Sequence, residues 1–544
     1  MRSMNSTPFA GSLAAALLAL AGCAGQGPTP VPTAGDAAGP AVRDEQDPAF
    51  WRREGRAVVD ARGSDARARN VILFVGDGMG VSTVTAARIL AGQLAGGAGE
   101  EHVLSFERFP QLALSKTYNT NQQTPDSAGT MTAMITGVKT LAGVLSVDGS
   151  VRRGDCASSL DAHVPTLFEL AEDAGFATGV VSTARITHAT PGATYAHTPE
   201  RDWEVDSALP AAARDAGCED IAAQFLSFDH GDGVDLALGG GRVLFMPSEQ
   251  DDPEYPFLAG RRTDGRDLVA EWQAANPGAH YVWNAEQFAA VPDDGAKVLG
   301  LFEPSHMQWE ADRDRDTGGE PSLAEMTRFA IERLAAKDSG YVLVVEAGRI
   351  DHGHHAVNAY RALTDTIALS DAVAVADELT DADDTLIIVT ADHSHTLTIA
   401  GYPTRGNPIL GLVVSNDASG APASAPMTDA FGLPFTTLGY ANGGGHHGAS
   451  DTQPAGPKRF GHRLSSAQPH PDGRADLAAV DTRAPWFLQE SMVPMGSETH
   501  GGEDVPIYAR GAGAERIGGV VEQSVIYYAL EAALRNRLDV PPAD

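Results

Sequence analysis

The stretch Tyr341-Val-Leu-Val-Val345 runs straight into Glu346-Ala-Gly-Arg-Ile-Asp351-His352-Gly-His354-His355, and its reading decides the fold. Five apolar, β-prone residues end in two carboxylates and three imidazoles. The pattern occurs twice more. Val71–Val75 (VILFV) leads into Gly76-Asp77-Gly-Met-Gly80, and Thr385–Val389 (TLIIV) leads into Thr390-Ala-Asp392-His393-Ser-His395. Short apolar strands with acids at their carboxyl ends are how an open α/β sheet builds a site. Four carboxylates with several imidazoles exceed the needs of one ion, so the pattern points to a centre holding more than one metal.

Helical patterns separate these strands. Asp47-Pro48 sets an N-cap and a first-turn proline for a helix over 48–60. Further helices are predicted over 82–94, 128–136, 164–174, 323–335 and 356–379, with a strand at 177–181. Alternation of this kind predicts an α/β fold: a doubly wound, mostly parallel sheet with helices on both faces. Residues 245–320 and 403–497 break the rhythm with Asp, Pro and Gly and read as irregular insertions.

The first 22 residues read as a signal peptide, with Arg2 ahead of an Ala/Leu-rich core. That core ends in Leu20-Ala21-Gly22-Cys23, which resembles a bacterial lipobox with Cys23 as the lipidated residue. Residues 23–45 then form a Gly/Pro/Ala/Thr-rich tether, and the folded domain spans 46–540. The expected location is outside the cytoplasm, anchored by lipid to the outer membrane and facing the periplasm; Ala24 after the cysteine fits that sorting. Setting Cys23 aside leaves Cys156 and Cys218, either a disulfide in an oxidising compartment or two free thiols. A formal net charge of −33 argues against nucleic acid as a partner. It also means that an anionic substrate would need local cations, which bound metals would supply.

Asp126-Ser127-Ala128-Gly129-Thr130 opens the predicted helix over 128–136. A serine there lies in the positive field of a helix N-terminus, although Asp-Ser at such a place is usually a cap and nothing more. The metal-rich strings change its meaning. Gly76-Asp77-Gly78-Met79-Gly80, Asp126-Ser127-Ala128, Glu346 to His355, Thr390 to His395, and Glu498-Thr499-His500-Gly-Gly-Glu-Asp-Val505 follow one another in the order found in alkaline phosphatases. The chain resembles that family from about residue 47 to 535, and especially its animal-type branch.

The resemblance implies roles. Ser127 would be the nucleophile, forming a phosphoserine. Asp351, His355 and His500 would hold a first Zn(2+), and Asp77, Asp392 and His393 a second beside Ser127. Asp77, Glu346 and Thr190 would hold a Mg(2+), an oxygen-only set that suits it. Arg201, at the end of Thr183-Ala-Arg-Ile-Thr-His188-Ala-Thr190…Arg201, would grip phosphate oxygens with its guanidinium fork. His188 and His352 would sit near the phosphate, as in the animal branch. A histidine at 188 makes the third site less negative and weakens its preference for magnesium. A further Ca(2+) would be held by Glu254, the Phe302 carbonyl, Glu303 and Glu320. His354 and His395 read as supporting residues, not ligands. The family also implies a homodimer, with the helix of Trp51 and Tyr402 at the contact.

The resulting expectation is an alkaline phosphatase acting on phosphate monoesters. A phosphodiesterase or sulfatase of the same superfamily is the alternative, as is a lipoprotein that binds metal or phosphate without turnover. A sulfatase would carry its modifiable residue in a Cys/Ser-X-Pro-X-Arg context, which Ser127 lacks. A diesterase would lack the Arg201 and Glu346–Thr190 elements. A pure binding protein would have no use for Ser127.

Overall fold

Residues 70–76 form the central strand β1, and every one of them is buried. Their side chains alternate between two cores, as a strand's period of two dictates. Val71, Leu73 and Val75 point into one hydrophobic cluster, and Ile72 and Phe74 into the other. Burial on both faces explains why the sequence reads as an unbroken apolar run. The computed structural model describes residues 45, 47–429, 432–446, 474, 476–534 and 538. The expected signal peptide, Cys23 and all of the tether but Glu45 lie outside the described residues.

In chain order the remaining strands are β2 (111–116), β3 (177–185), β4 (236–240), β5 (280–282), β6 (298–301), β7 (341–347) and β8 (385–391). Then come β9 (394–395), β10 (397–399), β11 (438–443), β12 (491–494), β13 (500–501), β14 (505–511) and β15 (519–522). Ten of these make one sheet in the order β15-β2-β14-β8-β1-β7-β3-β4-β6-β5. Only β14 runs against its neighbours; all the other pairings are parallel. Helices cover both faces, so the expected doubly wound α/β architecture is present. One face carries Ser127–Thr136 and Val525–Leu534, the other Val81–Leu94, Leu323–Ala335 and Ala359–Leu379.

Three sequence expectations shift. Residues 245–320 are not a wholly irregular insertion, because they supply β6 and the edge strand β5 of the main sheet. The helix predicted over 356–379 starts at Ala359, capped by Asn358. A separate helix, Arg349–His355, precedes it, and Val357 takes a positive φ of 50° at the break. The helix predicted over 164–174 starts at Leu167, because Thr166 and Glu169 form a capping box. The described residues within 403–497 are mostly irregular, apart from β11 and β12, which join β10 in a small sheet. Cys156 and Cys218 form a disulfide, with Cα atoms 5.9 Å apart.

Candidate metal centre and active site

Strand register brings the acids together. Gly76 pairs with Ala391 on one side and Ala347 on the other, so Asp77 and Asp392 leave neighbouring strands side by side. Glu346 lies opposite Val75. The turn after β1 needs glycine at 78: φ is +71°, and a Cβ there would stand 2.3 Å from the His395 ring. Its N–H donates to Asp392 Oδ1 at 2.9 Å.

Asp351 and His355 are four apart on the helix Arg349–His355, hence on one face, with Oδ1 and Nε2 3.3 Å apart. His500 arrives from far along the chain through the β13–β9 ladder, in which it pairs with His395. Its Nε2 lies 3.4 Å from Asp351 Oδ1 and 3.2 Å from His355 Nε2. His393 points its Nε2 at Asp392 Oδ2 (3.2 Å), Asp77 Oδ1 (3.4 Å) and Ser127 Oγ (3.1 Å).

All three imidazoles share one device. The Nδ1 of His355 donates to the Glu498 carbonyl at 2.6 Å, that of His500 to the Pro125 carbonyl at 2.7 Å, and that of His393 to the Ser394 carbonyl at 3.2 Å. A carbonyl only accepts, so each proton is on Nδ1 and each Nε2 offers a lone pair. Two such lone pairs 3.2 Å apart, on His355 and His500, repel unless a cation lies between them. Neither oxygen of Asp77, nor Oδ2 of Asp392, has a hydrogen-bond partner among the described residues. Burial, then the carboxylates around it, pushes Asp77 well above the usual carboxylate range. Burial likewise pushes Glu346 up to about 7, although the Ser182 hydroxyl donates to it and Thr190 lies beside it. These are the marks of anions awaiting divalent cations, and a mixed imidazole and carboxylate donor set fits zinc. Potential ligand atoms of Asp77, His188 and Glu346 also converge.

Ser127 is the first residue of the helix Ser127–Thr136 and is almost fully buried. Asp126 caps that helix through the Gly129 N–H. Its other oxygen accepts from Arg201 Nη1 at 3.0 Å, fixing the guanidinium beside the serine. Arg201 Nη2 reaches His188 Nε2 at 3.2 Å. Burial, with the guanidinium next to it, keeps His188 neutral well below the usual histidine range. The His352 ring lies edge-on to His188 and tilted against His306, with ring centroids 5.7 and 4.1 Å away.

Four residues matter here more than the sequence disclosed. Glu498 and Asp351 both hold His395, with contacts of 2.5 and 2.7 Å, which confines Asp351. Asp126 anchors Arg201 as well as its helix. His306 completes the imidazole group around His352. Glu498 and Asp126 lie inside the quoted strings, but only the fold reveals what they touch; His306 lies in a loop with no signal of its own. His354 bonds Thr83 and Tyr440 at 3.0 and 2.8 Å, away from the ligand cluster.

The residues expected to bind calcium also gather. Gln308 holds Glu303 Oε1 through its side chain at 2.7 Å and Glu320 Oε1 through its N–H at 3.0 Å. Glu254 accepts from Gly318 N–H and Arg242. Phe302 is fully buried beside Glu303. Asp316, which the sequence reading did not include, joins the group through Tyr255 and the Glu303 carboxyl. Burial and mutual repulsion push Glu303 up to about 8 and Glu320 up to about 9, and Oε2 of buried Glu320 has no hydrogen-bond partner among the described residues.

A family model described as alkaline phosphatase matches residues 68–536. The chicken tissue-nonspecific alkaline phosphatase isozyme is 43% identical over 502 residues, covering 90% of each chain. The human tissue-nonspecific isozyme is 40% identical over 502 residues, covering 90% of this chain and 89% of its own. Among solved structures, the Thermus thermophilus alkaline phosphatase superposes with a TM-score of 0.59 at 25% identity, over 89% of this chain and 95% of its own. The enzyme of the Antarctic bacterium TAB5 has the same fold, with a TM-score of 0.53 at 20% identity over 86% of this chain and 98% of its own. Strand-end carboxylates, a buried serine at the start of a helix and these relatives agree: the chain is a metal-binding hydrolase that belongs to the alkaline phosphatase family.

Proposed function

We propose that the protein hydrolyses phosphate monoesters through a phosphoserine on Ser127. The observation that carries this is the position of Ser127 Oγ, 3.1 Å from His393 Nε2, with Arg201 held beside it by Asp126. Ser127 Oγ forms a bond to phosphorus while the ester oxygen leaves as the alcohol. Water then attacks the phosphoserine, the P–Oγ bond breaks, and inorganic phosphate departs. Arg201 donates two N–H groups to the phosphoryl oxygens in both steps. Helix N–H groups next to Ser127 add to that field.

The donor sets favour Zn(2+) at Asp351, His355 and His500, Zn(2+) at Asp77, Asp392 and His393, and Mg(2+) at Asp77, Glu346 and Thr190. Such ions lower the pKa of hydroxyl and water and neutralise charge that builds on oxygen. Ca(2+) at Glu254, Phe302, Glu303 and Glu320, joined by Asp316, would brace the loops around β6. A short reaction with radiolabelled phosphate ester, quenched in acid, should leave label on the wild-type chain and none on Ser127→Ala. Label of equal size on both would sink the reading.

The N-terminal strings support export, lipid attachment at Cys23 and outer-membrane anchoring. Cys23→Ser should move the protein from the membrane fraction to the soluble one, and a protein still in membranes would disprove the anchor. A homodimer is supported by Tyr402, which is 87% exposed at a positive φ of 56°. Trp51 is less available than the sequence implied, since it packs against Val138 and Val164.

A further inference from the structure

On another part of the fold, three histidines and three acids line a cavity of about 400 Å³, and none of them belongs to the site above. Glu169 is held by its own helix cap, its Oε2 accepting the Thr166 N–H at 2.7 Å. That leaves Oε1 to face two imidazoles. His197 Nε2 lies 2.7 Å from it, and His230 Nε2 lies 3.4 Å from it. His197 Nδ1 donates to the Ser146 carbonyl at 2.7 Å. His230 Nδ1 contacts Asp173 Oδ2 at 3.0 Å. His163 stacks on His197, with centroids 4.3 Å apart and planes 9° from parallel, which fixes that ring further.

Each of the three inward atoms therefore has its companion atom tied down: one by an N–H, one by a carbonyl, one by a carboxylate. This repeats the arrangement that turns His355, His500 and His393 toward their site. Metal-ligating imidazoles characteristically place a carbonyl or carboxylate behind the ring in this way. We propose that Glu169, His197 and His230 form an additional site for a zinc-class divalent cation, opening into the cavity. Two imidazoles and one carboxylate are too rich in nitrogen for calcium or magnesium and suit zinc, with coordination positions left for water. Without metal, a proton shared between Glu169 and His197 fills the same role as an ion pair, so binding would displace a proton. The chain's net charge of −33 raises the local concentration of cations. The metal would tie the helix Leu167–Asp173 to the loop after Ile221–Ser227 and to the segment that leads from Thr190 to Arg201.

The test uses the zinc-loaded full chain, equilibrium dialysis at micromolar free zinc, and elemental analysis. The variants are His230→Ala, at a largely surface position, and Glu169→Gln, whose side chain still completes the helix cap. Turnover of p-nitrophenyl phosphate reports that the catalytic centre is intact in each. The expected result is one zinc per chain more in the wild type than in either variant, at equal turnover. Equal zinc in all three proteins overturns the site and leaves Glu169 and His197 as an ion pair.

Discussion

Asp77, Asp392 and Glu346 stand at the ends of three adjacent strands, whereas Glu254, Glu303, Asp316 and Glu320 come from loops around β6, one strand in from the edge of the sheet. Both groups bury acids against each other, and in both burial raises carboxyl pKa values. The strand-end group is positioned by sheet register and by backbone carbonyls behind its imidazoles. The loop group has no such scaffold. It is held by Gln308, Gly318, Arg242 and Tyr255, and it answers repulsion by holding protons. A cation should therefore serve chemistry at the first group and stability at the second.

The largest effect expected from this contrast is on turnover. Dialysis against a strong chelator should abolish activity, and zinc should restore it while the circular dichroism of the sheet and helices stays put. Activity that survives chelation would break the assignment of the strand-end group. Next in size is Arg201→Ala. Losing two charge-assisted hydrogen bonds to the phosphoryl group should lower kcat/KM by roughly 30- to 1000-fold. An effect below threefold would remove Arg201 from the site. Smaller still, Glu320→Gln should lower the calcium-dependent rise in Tm, by roughly 2–5 °C, and change kcat by less than about twofold. A large loss of kcat would erase the distinction between the two groups.

The same contrast has a pH signature. Glu303 and Glu320 have folded pKa values of about 8 and about 9, above the ordinary carboxyl value of 4.5. Between 4.5 and 9 the calcium-free folded state binds more protons than the unfolded chain, so its stability falls as pH rises through that window. Calcium needs the ionised carboxylates, so its stabilising effect should grow over the same range. Calorimetric scans at pH 6 and pH 9, with and without calcium, read this directly. A calcium increment that shrinks toward pH 9 would contradict it.

Much of the strand-end group was legible because it is written in contiguous strings. An apolar run followed by an acid states both the strand and the point where it leaves the core. Strands β5 and β6 are not legible because three and four residues, embedded among Asp, Pro and Gly, carry too little periodicity. The break before Ala359 was missed because helical residues continue across it, while the cause is a local backbone turn at Val357 and a cap at Asn358. His306 and Asp316 sit in loops, where only the folded path shows what they approach. Glu169, His197 and His230 are separated by other elements and form no string at all.

The place of β1 has a consequence for how the chain is made. Its partners β7 and β8 begin at residues 341 and 385, and His500 is later still. A chain emerging from its N-terminus has synthesised this apolar, fully buried strand long before its partners exist. Such long-range pairing slows folding and exposes unfinished apolar edges along the way. On the proposed ligand set, the last imidazole arrives only near the end of synthesis, and a product truncated before His500 would carry the sheet without a complete site.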